Sequence, residues 1–275
     1  MRIGDSETMN HRPEVSIIMG VFNGAATLRA AIESIRQQTF EDWEFIICND
    51  CSTDNTLDVL KEFADGDSRI KIICNKQNCG LAASLNHCLE FVQGEYIARM
   101  DCDDVSLPQR IEYQIAYLKD HPEYDLVGTY MQVFDDCGTK EIVQTKLRPE
   151  RRDLPKGAPF CHATIVMRTK AMKKLNGYCI SNHTLRTEDI DLWYRFFAAG
   201  FVGANIPEPL YLVRVDKAAY RRRKLKYMLH ASYIVWYGCD MLELPLYYKI
   251  YCIKPIMSWL LPPKIKRSMR KWIIK

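Results

Sequence analysis

Hydrophobic positions in the first hundred residues come in blocks rather than singly. Val15-Ser-Ile-Ile-Met-Gly-Val-Phe22 is a nearly continuous apolar run rich in β-branched residues, the pattern of a strand covered on both faces. Asn23-Gly24 breaks the run, and Leu28, Ala31, Ile32 and Ile35 then recur at helical intervals as far as Gln38. The pattern predicts a second strand over 43–48, a turn-forming stretch over 49–55, and a helix with Leu57, Leu60 and Phe63 on one face. A strand over 70–74, a helix over 81–92 and a strand over 95–100 follow. Strands alternating with helices at this pitch give βαβ units and a mainly parallel sheet. Right-handed crossovers bring the loop-bearing strand ends to one edge, where such sheets bind ligands. After about residue 105 the pattern loosens into a helix over 108–119, antiparallel segments over 125–135 and 141–147, and a helix opened by Thr187 as N-cap. There is no internal repeat and no low-complexity tract.

Composition narrows the class. A content of 48% hydrophobic and 26% charged residues over 275 positions excludes a disordered or fibrous chain, and this length buries enough surface to need no disulfides. Eleven cysteines are present, but residues 1–14 lack the apolar stretch of a secretory signal. The expectation is a cytoplasmic protein with reduced, mostly buried thiols. Cys48 and Cys74 each end an apolar run, as small core side chains do. The CxxC spacing of Cys48 and Cys51, with Cys74 and Cys79 downstream, is the zinc-site alternative.

The net charge of +4 is an average over two unlike parts. Residues 217–275 carry 14 Lys and Arg against Asp240 and Glu243, a net +12, which leaves 24 basic and 32 acidic residues, −8, in 1–216. No stretch of 18 uncharged apolar residues exists, so no membrane-spanning helix is expected. The C-terminal region mixes basic clusters (Tyr220-Arg-Arg-Arg-Lys-Leu-Lys226 and 264–275) with aromatic and aliphatic residues. That combination predicts peripheral attachment to an anionic membrane surface. A solvated or oligomer-forming helical tail is the alternative, and homo-oligomerisation stays open. No nucleic-acid-binding motif accompanies the charge.

Neither GxGxxG nor GxxxxGK[ST] occurs, which disfavours a dinucleotide oxidoreductase and a P-loop enzyme. Acidic residues stand instead at three strand ends or loop edges: Asp50, Asp101-Cys-Asp-Asp104 and Glu188-Asp189. Carboxylates there engage phosphate through a divalent cation, and Mn²⁺ or Mg²⁺ favours hard oxygen ligands. Asp101 and Asp103, two apart, point to one side, so one can hold the metal while the other reaches ribose or metal-bound water. A solvated turn before a helix would place Asp in the same positions.

These segments, with Ile35-Arg-Gln-Gln-Thr-Phe40, 44–56, Asn78-Cys-Gly-Leu81, 98–104 and Thr187-Glu-Asp-Ile-Asp-Leu-Trp193, resemble family 2 glycosyltransferases in the expected order over about 13–215. The resemblance implies the GT-A fold, an α/β architecture with a mainly parallel, Rossmann-like sheet and helices on both faces, here with a basic amphipathic helical C-terminal tail. The implied layout is an N-terminal extension (1–12), a catalytic domain (13–216, with nucleotide-binding half 13–104 and acceptor-binding half 105–216) and the basic region 217–275. It further implies inverting, metal-dependent transfer from a nucleoside-diphosphate sugar, usually a UDP-sugar, to a glycan or lipid-linked acceptor. Bacterial surface-polysaccharide assembly at the inner face of the cell membrane is the implied setting.

By position, the resemblance makes Asp50 the carboxylate that meets the base, with 19–23, including Val21 and Asn23, lining base and ribose. Asp101 and Asp103 become the DxD pair, with Asp103 as metal ligand, and Asp189 the general base beside Glu188. Arg99 either faces donor phosphate or neutralises the acidic loop, and His162 stands near phosphate or acceptor. Cys51 replaces the usual Gly, so a differently shaped loop is expected there. Asp191 is expected to pair with Arg195, and Trp193 to be core. A sugar-nucleotide nucleotidyltransferase and a non-catalytic membrane scaffold are the competing readings.

Overall fold

The computed structural model describes residues 12–135, 137–215 and 224–260. The N-terminal extension expected over 1–12, Arg12 apart, and the expected basic clusters at 220–223 and 264–275 lie outside the described residues.

The N-terminal half follows its hydrophobic pattern closely. Strand β1 (Val15–Val21), helix α1 (Ala25–Arg36), β2 (Trp43–Asn49), α2 (Thr56–Gly66), β3 (Ile70–Cys74), α3 (Leu81–Leu89) and β4 (Tyr96–Arg99) alternate. β1 to β4 pair in parallel in the order β3-β2-β1-β4. Ile17 and Met19 of β1 face one core layer with Leu28, Ile32 and Leu60, while Ile18 faces the other with Leu85 and Met167. Burial on both faces is why β1 reads as one apolar run.

Beyond β4 the sheet becomes mixed. β5 (Val105–Ser106), α4 (Arg110–Asp120), β6 (Leu126–Asp135), β7 (Gly138–Val143), β8 (Val166–Arg168), α5 (Thr169–Lys174), α6 (Glu188–Ala198) and β9 (Gly203–Arg214) complete it. The order runs β3-β2-β1-β4-β8-β6-β9-β5, with β7 on β6. β8 is antiparallel to β4 and β6, whereas β6 and β9 are parallel over nine partner pairs. The longest pairings are thus parallel, and helices cover both faces.

Helix α7 (Leu225–Met241) packs with α6 in one core through Ile234, Val235 and Cys239. The contact is close at Gly238, where an added Cβ would stand 2.2 Å from Tyr194. A 3-10 segment (Leu246–Ile253) and α8 (Lys254–Leu260) follow without burying any residue. No described helix is long and apolar enough to cross a membrane.

Several local expectations are corrected. The helix foreseen over 81–92 stops at Leu89, and the strand foreseen over 141–147 is Gly138–Val143. Val59, rather than Leu57, shares the buried face of α2 with Leu60 and Phe63. All eleven cysteines are free, but only Cys48, Cys88 and Cys239 are buried. Cys74 is exposed because β3 is an edge strand. Cys48, Cys51, Cys74 and Cys79 do not converge as a metal-ligand set among the described residues. Thr187 does not cap α6 by its side chain; its hydroxyl donates to the carbonyl of His183 at 3.3 Å.

Candidate active site

The site forms where the parallel strands end. β1 delivers Asn23, held with φ +52°, whose Oδ1 accepts the Thr53 N–H at 2.8 Å while its own N–H donates to Ser52 Oγ at 3.0 Å. The loops after β1 and β2 are thereby tied together. Val21 ends β1 with its side chain in the core and its carbonyl accepting the Asp50 N–H at 2.8 Å. Any contact it makes with a ligand is through backbone.

Asp50 is buried and already occupied. Its Oδ1 accepts Asn75 Nδ2 at 2.7 Å and the Cys79 N–H at 2.8 Å, and its Oδ2 accepts the Gly80 N–H at 2.8 Å. Gly80 sits at φ +86°, where a Cβ is disfavoured. The carboxylate thus fastens the loop of residues 75–80 to the end of β2. Cys51 adopts φ +59° despite its side chain, so the loop keeps the left-handed turn that the departure from Gly had put in question.

Asp101, Asp103 and Asp104 follow β4, and one carboxylate oxygen from each lies within 4.8 Å of the others. Among the described residues this is the one such cluster of three or more His, Cys, Asp or Glu. Burial, then the charges of Asp101 and Asp103, push Asp104 up to about 8. That repulsion is what a hard divalent cation relieves, and all three donors are carboxylate oxygens, so the residues fit Mn²⁺ or Mg²⁺. Asp104 also accepts the Arg214 N–H at 2.8 Å, which seats the cluster on β9.

Arg99 stands at the centre. It is buried, and its Nη1 donates to Asp101 Oδ2 at 2.8 Å while Nη2 meets Oδ1. Burial works against its charge, but Asp101 together with Tyr178 and Tyr211 outweighs that and its pKa rises. Of the two roles foreseen for Arg99, neutralising the acidic loop is the one this geometry displays. Asp101 is correspondingly held by a cation of the protein itself.

Asp189 and Glu188 enter from the first turn of α6. Burial raises the pKa of Asp189, the Asp101 charge adds to it, and the Ile190 N–H and Arg99 oppose it. Glu188 is raised by burial and by Asp189. His162 donates to or accepts from Tyr178 Oη at 2.9 Å and lies edge-on to Trp193. Burial and Arg99 hold its pKa well below the usual imidazole value, so it is neutral at physiological pH. Asp191 pairs with Arg195 at 2.7 Å as expected, and Trp193 is core.

Arg99 therefore shares one electrostatic neighbourhood with Asp101, Asp104, His162, Glu188 and Asp189, whereas Asp50, Val21 and Asn23 form the neighbouring β1–β2 loop pair. Sequence reasoning missed Tyr178 and Tyr211. Tyr178 carries His162, and Tyr211 Oη accepts the Asp101 N–H at 3.0 Å. Each is an ordinary aromatic in an apolar stretch, with no local signal of its role.

The chain is similar in sequence and in shape to known proteins. The model of the family described as "Glycosyl transferase family 2" matches residues 16–175. The Bacillus subtilis (strain 168) protein EpsE, a glycosyltransferase by name, is 47% identical over 96% of this chain and 95% of its own length. The amylovoran biosynthesis glycosyltransferase AmsE of Erwinia amylovora is 30% identical over 76% of this chain and 79% of its own. In shape, the chain resembles S. aureus TarS 1–349 in complex with UDP-GlcNAc, with TM-score 0.69, 16% identity, and coverage of 90% and 71%. The mannosyltransferase PcManGT from Pyrobaculum calidifontis, in complex with GDP-Man and Mn²⁺, gives TM-score 0.64 and 15% identity over 96% and 81%. The fold is GT-A, and the chain belongs to glycosyl transferase family 2.

Proposed function

We propose that this transferase moves a sugar from a nucleoside-diphosphate donor, a UDP-sugar above all, to a hydroxyl of a glycan or lipid-linked glycan during surface-polysaccharide assembly. The observation that carries the reading is the convergence of Asp101, Asp103 and Asp104 with Arg99 and Asp189 at one sheet edge. The UDP-GlcNAc complex of TarS supports the donor, and the part of AmsE in amylovoran biosynthesis supports the setting.

Mn²⁺ or Mg²⁺, held by Asp103 with Asp101, would neutralise charge on the departing diphosphate. The chain's own residues do the rest. Asp189, raised in pKa and partly buried, takes the proton from the acceptor hydroxyl. Attack by that hydroxyl opposite the leaving group inverts the anomeric centre. Glu188 and neutral His162 border the acceptor side, and Arg99 holds the acidic loop. Asn23 and the loop fastened by Asp50 form the floor beneath the base.

The test is release of UDP from a panel of UDP-sugars with and without Mn²⁺, alongside the rise in melting temperature that ligand binding brings by mass action. No metal-dependent release and no stabilisation by any nucleotide sugar would refute the reading.

Attachment to an anionic membrane surface belongs to the same proposal. Leu246, Ile250, Ile253, Met257 and Leu260 recur every three or four residues and are all at least 49% exposed. Such an uncovered stripe, beside a basic C-terminal sequence, suits the headgroup boundary of a bilayer.

A further inference from the structure

Arg110 is the first residue of α4 and is wholly shut off from solvent. A buried guanidinium normally meets a carboxylate, because desolvating an unpaired charge is costly. Among the described residues Arg110 makes no direct ion pair, although the charge of Asp104, in the acidic loop, favours its cation from further off. Its Nε donates to Ser106 Oγ at 2.7 Å, its Nη1 to the Arg99 carbonyl at 3.0 Å and the Ala163 carbonyl at 3.4 Å, and its Nη2 has no hydrogen-bond partner. The Tyr211 ring lies 5.1 Å from the guanidinium. Burial pulls its pKa down to about 10, so it remains a cation at neutral pH.

The three acceptors occupy telling positions. Arg99 immediately precedes the loop that bears Asp101, Asp103 and Asp104, Ser106 follows it, and Ala163 belongs to the turn that carries His162. One rigid side chain therefore spans both ends of the acidic loop. It also backs Tyr211, whose hydroxyl receives the Asp101 N–H at 3.0 Å. We propose that Arg110 is a positioning residue of the transfer reaction, holding the acidic loop, before any cation arrives, in the shape that brings its carboxylates together. The inference rests on reading that loop as the site for the cation and the diphosphate.

Arg110→Lys keeps the charge but cannot reach three acceptors at once. In the full chain it should raise the Mn²⁺ concentration that half-saturates UDP binding by about tenfold or more, in the range seen when outer-sphere supports of metal sites are removed. In the metal-free protein it should also speed amide hydrogen exchange over residues 100–106, with the rest of the sheet unchanged. Ser106→Ala and Tyr211→Phe, each deleting one hydroxyl, should move both readouts the same way by less. A role in packing alone would lower the melting temperature and leave both readouts in place. Folded Arg110→Lys within twofold of the unaltered chain on both measures would overturn the proposal. Should Arg110→Lys fail to fold, the two hydroxyl deletions decide it by the same criterion. Absence of Mn²⁺-dependent UDP binding in the unaltered chain would instead refute the functional reading, while the exchange comparison would still decide whether Arg110 holds the loop.

Discussion

Arg99 grips Asp101 with both terminal nitrogens, Nη1 to Oδ2 at 2.8 Å, so the first carboxylate of the acidic loop is neutralised by a side chain from the strand that leads into it. A bidentate pair of this kind fixes direction as well as charge. Arg99→Lys loses the fork, and Arg99→Met leaves Asp101 facing Asp103 and Asp104 unaided. Donor kcat/KM should fall in both, roughly 10²-fold or more in the Met variant, by the scale of lost electrostatic preorganisation. Retention of full kcat/KM in Arg99→Met would show that the pair is incidental.

The role proposed for Asp189 makes a different prediction, because a general base acts at the acceptor and not at the nucleotide. Asp189→Asn should lower transfer roughly 10²- to 10⁴-fold, the usual span for a lost acid–base group, with UDP affinity little altered. Its raised pKa also places the acid limb of the pH–rate profile above the range of an ordinary aspartate. Steady-state transfer from pH 4 to 9, with calorimetric UDP titration of the variant, measures both.

Asp104 couples the site to stability. With its pKa lifted to about 8, well above that of the unfolded chain, the native state retains the proton longer. Its contribution to stability is therefore present below about pH 4 and is lost as pH rises through 8. Asp104→Asn, which imitates the protonated group and can still accept the Arg214 N–H, should melt higher than the unaltered metal-free chain at pH 9. The two should melt alike at pH 4. Thermal unfolding in chelator at the two pH values tests the sign.

Asp50→Ala removes an acceptor from Asn75 and from the Cys79 and Gly80 N–H groups at once. Stranding donors near the core should cost about 3 kcal/mol, read as a lower denaturant midpoint. Asp50→Asn, which keeps one acceptor oxygen, should cost less.

The stripe on the last two helical segments predicts binding of the full chain to anionic phospholipid vesicles at low salt. Ile250→Ser combined with Ile253→Ser should weaken sedimentation with vesicles while leaving UDP release in solution intact. Equal sedimentation of the two proteins would exclude this stripe as the contact.

The parallel half of the sheet was legible because burial on both faces makes its strands unbroken apolar runs, and the carboxylates were legible because they punctuate strand ends. Cys74 was misread as core because an apolar run does not reveal that β3 is an edge strand. A motif position likewise does not show that the Val21 side chain lies in the core, leaving its backbone to face the site. Tyr211 and Arg110 could not be recognised at all. Tyr211 reaches Asp101 across 110 positions of sequence, and Arg110 reads as an ordinary helix start until Ser106, Arg99 and Ala163 are seen around it.

The seat of Gly238 on Tyr194 has one more consequence. Tyr194 belongs to the helix whose first turn carries Asp189, and α7 leads directly to the stripe that faces outward. If that stripe seats on lipid as proposed, the enzyme would act as a ruler, with the carboxylate proposed to take the proton held at a set height above the headgroups. An acceptor would be selected by how far its hydroxyl stands from its anchor as well as by the sugar that bears it. Gly238→Ala, by prising the two helices apart, would change that height before it changed the chemistry.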